Sequence, residues 1–239
     1  MSAPHGLEYR RIEGATGRGV RIAIIDSGVN PTHPHVGGVV ATVVATEAGV
    51  DDADAIDRLG HGTAVVAAIH QLAPDAELIV VKLFDRALAA STQALLKAID
   101  WSARNGAQLV NLSLGVTNAA HTVALQDAVT RAVEHGAVIV SPRAHKGVAW
   151  LPGSLAGALA VEVDWACPRD AYGVQPRTVD DRAVFLASGF AREIPGVPPE
   201  RNLKGVSFAA ANFSGHAARA AQDLSSYSLA SLTVRLTVR

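Results

Sequence analysis

The chain has 239 residues, 49% of them hydrophobic and 18% charged, with a formal net charge of −1. That length and balance fit one large domain with a sizeable core, and they give no electrostatic reason to expect nucleic acid or an anionic membrane as partner. Cys167 is the only cysteine, which excludes an intrachain disulfide and reads as a small buried hydrophobe. Met1 to Gly6 lacks the basic and apolar regions of a secretory signal, and no apolar run could span a bilayer, so a cytoplasmic protein is expected.

In chain order, the glycine-rich stretch from Gly14 to Gly19 precedes a strand instead of joining strand to helix, and it has no Lys-Ser/Thr ending. It reads as a turn, which removes the case for a nucleotide-binding protein. Val20 to Gly28 is a β-branched apolar run that predicts a buried parallel strand ending on Asp26, the place where open α/β sheets put functional groups. Asn30 to Asp57 reads as a solvated surface loop, with Asp51, Asp52, Asp54 and Asp57 in no metal-ligand spacing and with His33 and His35 flanking Pro34. At Gly60 to Ile69, a histidine between glycines opens an Ala/Val helix, which leaves His61 little steric cover.

Further strands are expected at Leu78–Phe84, Leu109–Gly115, Gly136–Val140 and Ala156–Val163, and helices at Thr92–Asn105 and Thr122–His135. Pro195 to Pro199 is a surface loop. From Gly205, an alanine-rich helix puts the Ser207 hydroxyl in its first turn, where unpaired N–H groups and the helix dipole favour negative charge. This alternation predicts a single α/β domain over residues 1–239: three layers, with a doubly wound, mostly parallel sheet and helices on both faces.

Asp26-Ser27-Gly28, Gly60-His61-Gly62-Thr63 and Gly205-Val206-Ser207-Phe208-Ala209, in that order, resemble the three signatures of the subtilisin-like serine peptidases. The likeness runs from about Gly17 through Leu224 and includes Asn111 to Gly115 and the segment from Leu151 to Val161. It implies a catalytic triad: Ser207 as nucleophile, His61 as base and then acid, and Asp26 orienting and stabilising the imidazole. It also implies an oxyanion hole from Ser207 and from His145, which stands where the family has asparagine. Both side chains can donate to a developing oxyanion. An extended peptide would lie between two edge segments, making Phe84, Asp85, Ser113, Leu114 and Gly115 substrate-binding, with Lys146 at the pocket rim.

The sequence departs from the family at several places. Val206 replaces the usual threonine, and Ala211-Asn212 the usual Pro-His, a change expected to give room behind Ser207. The Ile69 to Pro74 connection is short where the family carries a calcium loop, and His35 stands where it often has a ligating aspartate, so no metal and no cofactor are expected. The short link from Gly147 to Leu151 is expected to leave one wall of the pocket low. The resulting expectation is a cytoplasmic serine endopeptidase processing a peptide or leader segment, with a partner completing the short C-terminus from Leu229. A catalytically silent peptide-binding relative and a transpeptidase variant stay open as alternatives.

Overall fold

The computed structural model describes residues 8–175 and 182–238. Met1 to Gly6, read above for a targeting signal, and Arg239 lie outside the described residues. Along the chain run β1 (Arg21–Asp26), β2 (Val39–Ala45), β3 (Val50–Asp51), α1 (His61–Leu72), β4 (Glu77–Lys82), α2 (Thr92–Arg104), β5 (Leu109–Leu112) and α3 (Thr122–Glu134). These are followed by β6 (Val138–Pro142), β7 (Ala144–His145), β8 (Val148–Ala149), β9 (Ala158–Val163), β10 (Tyr172–Gln175), β11 (Val184–Ala187), α4 (Val206–Ala221) and α5 (Leu229–Thr237).

Nine strands form one sheet in the order β10-β11-β9-β6-β5-β1-β4-β2-β3, parallel except for the β10–β11 and β2–β3 pairs at its edges. The central strand β1 lies between β4 and β5, with Ile24 opposite both Val80 and Asn111. Because side chains alternate along a strand, Ile22 and Ile24 join Leu78, Val80, Val138 and Val140 in the core beneath α1, α4 and α5. Ala23 and Ile25 join Ile79, Val81, Val110 and Leu112 in the core beneath α2 and α3. Burial on both faces is why β1 reads as an unbroken apolar run. Helix α4 is buried nearly all round, as its alanine-rich sequence demands.

The segment from Asn30 to Asp57 is not all loop. Val39 to Val44 is a β-branched run and forms β2, which pairs in parallel with β4; only the flanks are polar. The C-terminal segment from Leu229 also folds. It forms α5, started by a reciprocal Ser228–Ser231 capping box, and buries Leu232 and Leu236 against the first core. The turn at Gly14 to Gly19 does present a row of N–H groups, but those of Thr16, Gly17 and Arg18 all donate to Gln222 Oε1.

Candidate active site

Asp26 closes β1 at the carboxyl end of the sheet and is fully buried. Its Oδ1 lies 2.7 Å from His61 Nδ1 and accepts the Ser27 N–H at 2.7 Å. A carboxylate can only accept, so the neutral imidazole carries its proton on Nδ1 and leaves Nε2 as the base. Burial opposes a charged ring, but the hydrogen bond and the charge of Asp26, helped by Asp57, prevail and hold the His61 pKa above its ordinary value.

Residues on either side of His61 are clamped. Asp57 accepts from Thr63 N–H (2.8 Å) and Thr63 Oγ1 (2.7 Å), from Ser27 Oγ (2.8 Å), and from the N–H groups of Leu59 and Gly60 (2.9 Å each). Ser27 Oγ in turn accepts the Gly62 N–H at 2.9 Å. Gly60, the N-cap of α1, sits at φ 78 and brings no side chain of its own, so Asp57 takes the capping role from outside the helix. Gly62 is needed for a different reason: a Cβ there would lie 2.2 Å from Gly28 O. Asp57 is therefore not the solvated loop acid expected from the sequence. It is the bracket of the histidine, and its distance of four residues from His61, just ahead of the glycines, was the only signal.

Ser207 occupies the first turn of α4 without capping it. Its hydroxyl donates to Ser113 O at 2.8 Å, while Ser113 Oγ donates to Ser207 O at 3.0 Å. Asn111 Nδ2 donates to Ser113 Oγ at 3.0 Å, and Ser214 Oγ donates to Asn111 Oδ1 at 2.9 Å. The edge segment after β5 is thus tied to the nucleophile's helix at both ends. Among the described residues, the Asp26–His61 pair is formed, whereas Ser207 is hydrogen-bonded to the edge segment and not to His61. His61 and Ser207 share one cleft of about 290 Å³.

That cleft is lined by Phe84, Leu88, Leu95, Leu114, Gly115 and Trp150, with Ser113 at its edge. Asp85 lies apart from it, paired with Arg58 and with Lys82. His145 and Lys146 belong to the β7–β8 hairpin and line a separate hollow with Arg143 and Glu162, themselves an ion pair at 2.9 Å. The His145 ring faces Trp150, with centroids 5.4 Å apart. The link from Gly147 to Leu151 does not leave a low wall, because it delivers the Trp150 indole into the cleft. Behind the nucleophile, Ala211 is fully buried. Asn212 donates to the carbonyls of Ser188 (2.8 Å) and Phe190 (2.9 Å) and accepts from Arg169 (3.0 Å), pinning α4 to the chain after β11.

The connection from α1 to β4 is hydrogen-bonded to its surroundings. Asp75 accepts from Thr16 and Arg18, Gln71 accepts from Arg169, and the His70 ring lies against Gly37. His35 lines a different pocket with His33 and Arg192; burial first, then Arg192 and His33, push its pKa down. A hard cation needs several oxygen ligands, and in this connection the Gln71 amide oxygen and one Asp75 carboxylate oxygen already accept hydrogen bonds. Millimolar calcium is expected to leave the melting temperature unchanged within about 1 °C, against chelator-treated protein in differential scanning calorimetry; saturating a native site would raise it by several degrees.

A model of the subtilase family matches residues 17–142. The chain is 35% identical over 144 residues to the minor extracellular protease Epr of Bacillus subtilis (strain 168), covering 56% of this chain and 21% of that protein. It is 30% identical over 215 residues to subtilisin Savinase of Lederbergia lenta, covering 83% of this chain and 72% of that protein. The chain spans 51% of the length of the alkaline protease of Alkalihalobacillus alcalophilus, also 30% identical. Among solved structures, a cold-adapted subtilisin-like serine proteinase superposes with a TM-score of 0.72 at 23% identity, over 92% of this chain and 81% of that one. A lanthipeptide protease superposes with a TM-score of 0.64 at 20% identity, over 84% and 72%. These two likenesses concern the fold.

Proposed function

The chain belongs to the subtilase family, and on that premise we propose that it is a serine endopeptidase that cleaves extended peptide segments through a Ser207 acyl-enzyme. The observation that carries this reading is the 2.7 Å Asp26–His61 pair opening onto the cleft that also holds Ser207. A peptide added as a strand along Ser113 to Gly115 would bring an N–H to Ser113 O. That is the acceptor the Ser207 hydroxyl now occupies, so substrate binding releases the hydroxyl to turn to His61 Nε2. His61 then removes its proton during attack on the scissile carbonyl and returns it to the leaving amine. No helix among the described residues is long and apolar enough to cross a membrane. A cytoplasmic site of action and a role in limited peptide processing are part of the proposal, checked by cell fractionation and by profiling cleaved peptides.

A fluorophosphonate should add once to the protein by intact mass and not at all to Ser207→Ala. No adduct on folded protein between about pH 6 and 9, either side of the ordinary imidazole pKa, would leave a peptide-binding module as the better reading. For the oxyanion, the start of α4 offers backbone N–H groups and the positive end of its dipole. The His145 ring packs on Trp150 and lines a different hollow from the one that holds Ser207. His145→Ala is expected to lower kcat by less than about 10-fold, whereas a direct oxyanion donor is worth about 10²–10³. A loss in the larger range, measured by steady-state kinetics, would assign the imidazole to the oxyanion after all.

A further inference from the structure

The cleft beside Ser207 is lined by a residue, Trp150, that lies outside the three signature stretches. Val116 and Leu151 exchange two backbone hydrogen bonds of 2.9 Å in an antiparallel bridge, which fixes Trp150 next to Gly115. The indole lies against that glycine: a Cβ on Gly115 would be 2.1 Å from Trp150 Cε3, 2.4 Å from Cδ2 and 2.7 Å from Cγ. His145 faces the same indole at 5.4 Å, with the ring planes tilted by 59°. The Trp150 N–H donates to Arg143 O at 2.8 Å, which holds the backbone of the wall to the chain leaving β6.

A peptide whose scissile carbonyl sits at Ser207, with its N–H on Ser113 O, places the side chain before the scissile bond beside the edge segment Ser113 to Gly115. Trp150 packs on Gly115 and lines the same cleft as Ser207, so its indole stands where that side chain would go. We propose that Trp150 is a specificity-determining residue that restricts the position before the scissile bond to small side chains such as glycine, alanine and serine. The rest of the cleft, with Phe84, Leu88, Leu95 and Leu114, is left to apolar side chains further upstream. An indole packed against both Gly115 and the His145 imidazole cannot move aside without losing those contacts. The steric limit is therefore built into the scaffold.

This inference rests on the peptidase activity proposed above, and the test separates the two. A plain fluorophosphonate reports whether Ser207 is reactive. Two peptidyl diphenyl phosphonates, alike except for an alanine-type or phenylalanine-type side chain at the position before the phosphorus, report selectivity. Each transfers phosphorus to the Ser207 oxygen with loss of phenol. Wild-type protein is expected to react with the alanine-type probe about 10-fold faster or more, the scale on which pocket size discriminates. In Trp150→Ala that ratio should fall to about one or invert, and in Trp150→Phe it should lie between. The ratio cancels a general loss of activity, and the wild-type comparison stands even if a variant misfolds. Reaction with the plain probe but equal or faster reaction with the phenylalanine-type probe in wild type would overturn the inference and leave the peptidase intact. An unchanged ratio in a folded Trp150→Ala would overturn it too. No reaction with the plain probe would overturn both readings.

Discussion

Asp26→Asn is expected to lower kcat about 10⁴-fold while leaving the protein folded, the scale on which triad aspartates act in serine peptidases. The geometry offers the amide two placements, and both fail. With its oxygen toward the Ser27 N–H and His61, the tautomer survives, but the negative charge is gone and an NH₂ takes the place of Oδ2, which is buried without a hydrogen-bond partner among the described residues. With the amide reversed, NH₂ faces both donors and the imidazole is driven to the other tautomer, so Nε2 is no longer a base. Either way the imidazolium formed on proton transfer loses its buried counter-charge. The acid limb of kcat/KM adds a second readout. The ring must be neutral to act, and Asp26 is among the groups holding its pKa above the ordinary value. The wild-type limb should lie above about pH 6.5, the free imidazole value, and shift to lower pH in any residual Asp26→Asn activity. Stability runs the other way: the raised His61 pKa stabilises the fold fully below the free value, and that gain is lost as pH rises through the folded value. An acid limb that does not move in Asp26→Asn would mean that the charge of Asp26 is not what sets the His61 titration.

What could be read from the sequence follows from how locally each feature is determined. The central strands were legible because burial on both faces leaves an unbroken β-branched run, as in Arg21–Asp26 and Glu77–Lys82. Ser207, His61 and Asp26 were legible because each sits at an element end marked by small residues, and the structure brings the first two to one cleft and pairs the last two. Strand β2 was hidden by its polar flanks, and α5 by brevity; each is decided by the neighbour it packs on. Placement across the chain was least legible. Nothing local to Trp150 says that its indole will lie on Gly115, because that contact is made by a bridge between segments far apart in sequence. The same bridge is why the pocket wall expected to be low is occupied. Asp57 was misread because its polar neighbours are exposed while its own carboxylate turns inward.

That inward turn makes Asp57 the second residue whose loss should be severe. Five hydrogen bonds converge on its two oxygens, from Ser27, Leu59, Gly60 and both donors of Thr63. Removing them in Asp57→Ala uncaps α1 and leaves several inward-facing donors without an acceptor. A lost cap costs about 1 kcal/mol, and a broken charge-assisted network brings the total to about 2–4 kcal/mol. For a chain of this size that corresponds to a melting temperature lower by roughly 5–15 °C. Asp57→Asn keeps one acceptor oxygen, so it should lose less. Because the clasp fixes the residues flanking His61, kcat should fall more steeply than KM rises, and it should stay low at temperatures where the variant is still folded. Burial would push the Asp57 pKa up, but the bonds from Thr63, Ser27 and Leu59 outweigh it and hold the value below that of a free aspartate. A depressed carboxylate stabilises the fold above the unfolded pKa and loses that contribution as pH falls through the folded one. The difference in stability between wild type and Asp57→Ala should therefore be constant at neutral pH and shrink below about pH 4. If the variant melts with wild type yet has lost activity, Asp57 acts on His61 alone and does not hold the fold. If it melts early but recovers full kcat when cold, the clasp supports the helix and not the base.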